Sequence, residues 1–154
     1  MAFNTQAALA AKMIRRTESV AVPELAAWFG DEAGIRDCAA AVRVQRGFVA
    51  EEDGAVVGFC TVELRDPGSA EITWMAVRAD RRNLGVGTAL VEARVERLAA
   101  EGVRRLLVKT LSERDPYPPY GETRRFYSRR GFVRVAELDV WGPDNPAVLL
   151  ARSL

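Results

Sequence analysis

The stretch from Glu71 to Thr110 constrains this chain more than any other. It begins with Ile72-Thr73-Trp74-Met75-Ala76-Val77, a run of apolar and β-favouring side chains that reads as a buried strand. A basic turn, Arg78-Ala79-Asp80-Arg81-Arg82, leads into Asn83-Leu84-Gly85-Val86-Gly87-Thr88, after which Val91, Val95 and Leu98 recur at helical spacing. Gly102 stands where a helix C-cap glycine belongs, and residues 104–110 return as a second strand. Strand, glycine turn, helix and strand make a βαβ unit, with parallel strands, a right-handed crossover and a helix over about residues 85–101.

The chemistry of the turn says what it is for. Two glycines one residue apart let the backbone turn tightly and leave the N–H groups of Gly85 to Ala89 uncovered at the helix start. Anions settle at such a terminus, and Arg81 and Arg82 stand beside it to add charge-assisted contacts to a phosphate or pyrophosphate. The plainer alternative is a solvated turn that only caps a helix. Two other phosphate loops fail on their residues. A dinucleotide fold needs a third glycine where this chain has Leu90, and a P-loop needs Gly-Lys-Ser/Thr, whereas the two lysines, Lys12 and Lys109, are elsewhere.

Arg82-Asn83-Leu84-Gly85-Val86-Gly87 resembles the Arg/Gln-x-x-Gly-x-Gly/Ala signature of the GNAT superfamily of acyl-CoA-dependent N-acetyltransferases, and Met75-Ala76-Val77 is similar to that family's strand end. Phe126-Tyr127-Ser128-Arg129-Arg130-Gly131-Phe132 resembles its second signature, in the right order and after an intervening strand. The resemblance covers about residues 47–152 and is weaker before them. It implies acetyl-CoA as the donor, with no metal, and an amine on a small molecule or peptide as the acceptor. By the same resemblance Arg82, Asn83, Leu84, Gly85, Val86, Gly87 and Thr88 hold the pyrophosphate, and the backbone of Met75, Ala76 and Val77 pairs with the pantetheine arm. Thr123 and Phe126 are cofactor-side residues of the second block, and Tyr127 protonates the departing thiolate. Glu71 is the candidate base with Glu63 behind it, because Trp74 stands where many members place a glutamate; Tyr120 and Thr123 replace the asparagine and alanine common in the second block. Trp28, Phe29, Asp31 and Glu32 are candidates to line the acceptor pocket, although a core and capping role explains them more simply. A module that binds acyl-CoA without turnover would carry the same turn.

The remaining segments fill out an α/β fold of the GNAT kind. It has a central mixed sheet of six or seven strands around the parallel βαβ core, antiparallel at both ends and with helices on both faces. The first strand is reduced to a piece around residues 13–16, and short helices are expected over 24–29 and 31–42. Strands over 47–51 and 56–63 meet at Glu52-Asp53-Gly54, a hairpin signal. A proline-rich loop over 112–119 precedes a helix from Gly121 to Arg130, and a last hairpin pairs 135–141 with 147–151. The 154 residues suit one domain, 1–154. A net charge of +1 argues against a nucleic-acid partner, and the absence of histidine removes Ser-His-Asp, Cys-His and His-zinc chemistry. Cys38 and Cys60 read as buried thiols. No apolar run reaches eighteen residues and no signal-peptide core is recognisable, so a cytoplasmic protein without a membrane partner is expected, with a homodimer left open.

Overall fold

The computed structural model describes residues 14–17, 36–38, 40 and 44–154. Its seven strands are β1 (Ile14–Thr17), β2 (Arg46–Glu52), β3 (Ala55–Leu64), β4 (Ser69–Val77), β5 (Arg105–Leu111), β6 (Val133–Leu138) and β7 (Ala147–Ser153), ordered β1-β2-β3-β4-β5-β7-β6. Two helices are named here α1 (Val86–Ala100) and α2 (Pro118–Ser128), and a single 3-10 turn spans Ala79–Arg81. β4 and β5 are the parallel pair, Ser69–Ile72 registering with Arg105–Val108, and α1 is the chain between them, as the sequence requires. The short first strand is present, paired with β2 from Ile14↔Ala50 to Thr17↔Gly47. The helices expected between residues 24 and 42, and with them Trp28, Phe29, Asp31 and Glu32, lie for the most part outside the described residues.

The chain divides into two compact units. The first contains residues through Glu63 together with Thr73–Arg97. Its β2–β3 hairpin turns at Asp53 (φ 51°) and Gly54 (φ 79°), the two left-handed residues that a type I′ turn demands and that Asp-Gly supplies. Val49, Val57, Phe59, Cys60 and Val62 from the hairpin and Leu90 and Val91 from α1 are among its buried side chains. Gly58 lets α1 lie against β3: a Cβ there would stand 2.9 Å from Val86 Cγ1 and 3.0 Å from Leu90 Cδ1. Arg94, buried on α1, places its guanidinium 4.6 Å from the centre of the Phe48 ring.

The second unit contains Leu64–Ile72 and Leu98–Leu154. Leu106, Val108, Val148 and Leu150 fill it from the β5–β7 ladder, joined by Leu98, Val103, Tyr127 and Phe132. The last turn of α1 closes as the sequence predicts, with Gly102 at φ 85° and the Val103 N–H donating to Leu98 O at 3.0 Å.

Two of the boundaries that differ from the sequence reading have a plain physical reason. α2 begins at Pro118, not Gly121, because a proline at the first helical position lacks only an N–H that the helix would leave unbonded. β6 runs over Val133–Leu138 and stops before Val140 and Trp141, and its register with β7 shifts between Arg134 and Ala136, leaving Val135 as a bulge.

Candidate active site

The expected donor turn is built in the first unit. Arg82 is extended, with ψ 153°, then Asn83 and Gly85 take left-handed backbone at φ 60° and 85° before α1 starts at Val86. Asparagine tolerates that region and glycine favours it, which is why this pair can reverse the chain within four residues. Ala89 N–H donates to Gly85 O at 3.0 Å and closes the first turn, so Ala89 is not among the uncovered donors that the sequence suggests. Val86 and Gly87 sit ahead of that bond and have no acceptor inside the helix. No acidic residue occupies the first turn of α1 to take the place of an incoming anion.

The flanking cations are committed unequally. Arg81 donates through Nε to Glu52 Oε2 and through Nη1 to the Asp80 carbonyl and to Asp80 Oδ2, each 3.2 Å away. Arg78 grips the same Asp80 through Nε at 2.6 Å and Nη2 at 3.1 Å. The Arg78 hydrogen bond, with both arginine charges beside it, holds the Asp80 carboxyl below its ordinary value, and the Glu52 hydrogen bond pushes Arg81 up. Arg81, one of the two arginines expected beside a phosphate, thus has two carboxylates of its own. Arg82 is exposed and tied only by Nε to Val77 O at 3.3 Å, and among the described residues no carboxylate pairs with it. Met75, Ala76 and Val77 are half-buried on β4, beyond Ile72↔Val108, the last registered pair of the β4–β5 ladder. Leu84 is exposed, and Thr88 is half-buried in the first turn of α1.

The second unit holds the other candidates. Tyr127, buried in the last turn of α2, makes edge-to-face contacts with Phe126 and Phe132, ring centres 5.1 and 5.2 Å away. Its carbonyl receives the Arg130 and Phe132 N–H groups, closing the helix where Gly131 turns left-handed at φ 84°. Phe126 lies under the Arg130 guanidinium, 3.7 Å from its ring centre. Thr123 spends its hydroxyl hydrogen on Pro119 O at 3.2 Å. Arg124 Nη1 donates to Leu111 O at 2.8 Å and Ser112 O at 3.0 Å, which ties α2 to the end of β5.

Glu71, the base suggested by sequence, is buried with both oxygens in ion pairs, Oε2 to Arg65 Nε at 2.7 Å and Oε1 to Lys109 Nζ at 3.0 Å. A carboxylate bonded to two cations, one of them on β5, ties β4 to its parallel neighbour. Glu63 is exposed. The thiols Cys38 and Cys60 are buried, and burial pushes each up to about 12, with Arg94 opposing the shift at Cys60. The described residues contain no group of three or more His, Cys, Asp or Glu residues arranged to hold a metal ion, and no helix among them is long and apolar enough to cross a membrane.

Sequence reasoning missed Glu52 and Gly58. A glycine inside a strand is a signal of close backbone approach, so Gly58 could have been found; Glu52 is 29 residues from Arg81 and nothing local announces their pairing.

The acetyltransferase (GNAT) domain family matches residues 43–134. The chain belongs to the GNAT acetyltransferase family. Among GNAT relatives, an uncharacterized N-acetyltransferase of Chlorobaculum tepidum is 40% identical over 65 residues, which span 42% of this chain and 42% of that protein's own length. The S-(2-succino)cysteine N-acetyltransferase of Bacillus subtilis is 31% identical over 121 residues, 73% of this chain and 69% of its own. In fold the chain is similar to a GNAT acetyltransferase of Elizabethkingia anophelis whose crystal structure has acetyl-CoA bound, with a TM-score of 0.70, 16% identity and coverage of 92% and 99% of the two chains.

Proposed function

We propose that this chain transfers an acetyl group from acetyl-CoA to the amine of a small molecule or peptide, within a single catalytic domain. The observation that carries the reading is the start of α1, where a left-handed Asn83-x-Gly85 turn and Arg82 frame N–H groups that have no acceptor inside the helix. The donor's pyrophosphate takes those N–H groups, and the backbone of Met75–Val77 receives the pantetheine arm. The acetyl-CoA bound to the Elizabethkingia relative supports the choice of donor. Tyr127 gives its proton to the CoA sulfur as the thioester C–S bond breaks: a phenol is still protonated at neutral pH and so has a proton to give.

The acceptor must arrive as a neutral amine. Glu71 is engaged by two cations, so the reading does not route the proton through it. A peptide's N-terminal α-amine, with a pKa of about 7.7–8.0, is partly neutral without a base, whereas a lysine amine near 10.4 is not, and the α-amine of a free amino acid lies between the two. The Bacillus subtilis relative is named for acetylation of an amino acid derivative, which favours a small α-amine acceptor. The test is release of free thiol from acetyl-CoA across a panel containing S-(2-succino)cysteine, other amino acids, a lysine peptide and a polyamine. Amine-dependent release, strongest for α-amines, is the expected result. CoA binding with no release for any amine would instead indicate a non-catalytic acyl-CoA module, and absence of CoA binding would overturn the donor assignment.

A further inference from the structure

Three arginines lie within five residues at the mouth of the donor turn, and the structure does not treat them alike. Arg78, Asp80, Arg81 and Glu52 form one linked chain of two cations and two anions. Arg78 and Arg81 both bond the Asp80 carboxylate, Glu52 takes Arg81 Nε from the end of β2, and Asp53 adds a further negative charge near Arg81. Arg82, the next residue, is outside the network; among the described residues its guanidinium bonds the Val77 carbonyl and no carboxylate.

We propose that Glu52 and Asp80 withhold Arg81 from the donor's phosphates, so that Arg82 alone pairs with them and CoA is held more weakly than two arginines at this turn would hold it. The inference rests on the donor reading above. Its physical rationale is that acetyl-CoA and product CoA carry the same pyrophosphate. Extra grip on that group would stabilise substrate, transition state and product alike, and it would slow release of CoA without lowering the chemical barrier. Glu52 is thereby a positioning residue: it touches no substrate and acts through the arginine it restrains.

The experiment measures CoA affinity by calorimetry, at low and high salt, for the wild type, Arg82→Gln, Arg81→Gln, Glu52→Gln and the Glu52→Gln/Arg81→Gln pair. Arg82→Gln is expected to weaken binding about ten- to a hundredfold, the size of one charge-assisted hydrogen bond. Arg81→Gln leaves affinity within about twofold, the scale of a weak exposed ion pair. Glu52→Gln tightens binding by about two- to fivefold and steepens its loss with salt, because a released arginine joins the phosphate. The double variant returns to the wild-type value. A gain of affinity that disappears when Arg81 is also removed is a result that simple loss of packing does not produce. Arg81→Gln weakening CoA as much as Arg82→Gln, or Glu52→Gln leaving affinity unchanged or lower in protein with a wild-type melting temperature, would overturn the inference while sparing the donor reading. A wild-type chain that binds no CoA overturns both.

Discussion

At the scale of single residues, Tyr127 gives the sharpest test. Phenylalanine preserves the edge-to-face contacts with Phe126 and Phe132 and removes only the hydroxyl. If that hydroxyl supplies the proton, Tyr127→Phe keeps CoA affinity near the wild-type value while kcat falls by about 10²–10⁴, the usual weight of a general acid. A purely structural tyrosine would show the opposite split, a lower melting temperature with kcat intact, so affinity, rate and melting temperature are measured on one preparation. The cysteines make a second residue-level case. Both are buried, and burial pushes each up to about 12, so almost no thiolate forms near pH 8. Ellman's reagent should therefore label neither cysteine in the native protein and both after denaturation. Rapid labelling of the native chain would contradict the burial, and slow labelling is also what allows thiol release to report turnover cleanly.

At the scale of elements, the position of α1 depends on the strand beneath it. A β-branched side chain at Gly58 meets Val86 Cγ1, Leu90 Cδ1 and, at 3.4 Å, the Ala76 carbonyl. Gly58→Val must therefore lift the first turn of α1, the same turn that presents Val86 and Gly87. Overpacking of this kind costs about 1–3 kcal/mol, and CoA affinity should fall together with the melting temperature. Gly85→Ala is the contrast: a Cβ there meets nothing within 4 Å, and the strain comes only from φ 85°, a cost of about 1 kcal/mol. An unchanged melting temperature for Gly58→Val would refute the packing argument. These elements also show what sequence could and could not reveal. The β2–β3 hairpin, α1 and its Gly102 cap follow local rules, and the structure places them within a few residues of the expected ends. The start of α2 was obscured because Pro118 and Pro119 break a helix interior but suit a helix start. The Val135 bulge depends on the register of a neighbouring strand, and the Arg81–Glu52 pair on a hairpin end 29 residues away; neither leaves a mark in local sequence. Asn83 and Gly85 of the donor turn are legible because the reversal needs residue types that few others replace, whereas the engagement of Glu71 by Arg65 and Lys109 emerges only from the folded sheet.

At the scale of the whole molecule, the titrating groups define a stability profile with two limbs and a level centre. The chain has no histidine, so no side chain with an ordinary pKa changes charge between about pH 5 and 8, and the melting temperature should be nearly constant there. On the acid side, Asp80 is held below its ordinary 3.8 by Arg78, and Glu113 below 4.5 by a backbone hydrogen bond and Arg134. A group depressed in the folded state binds protons more readily when unfolded, so its stabilisation is complete above the unfolded value and is lost as pH falls through the folded one. Both groups are exposed and their pairs are screened by salt, so this limb should begin below about pH 4.5 and become shallower as salt rises. On the alkaline side the sign reverses. Cys38 and Cys60 are raised from 9.0 to about 12, so the unfolded chain loses those protons first; their stabilisation is complete below pH 9.0 and is lost as pH rises toward 12. Melting curves from pH 3 to 10.5 on the wild type and on Cys60→Ala test the profile directly. The expected outcome is that Cys60→Ala, which deletes one buried thiol, flattens the alkaline limb and leaves the acid limb as it was. An alkaline limb of unchanged slope in that variant would show that the loss of stability above pH 9 arises from groups other than this thiol.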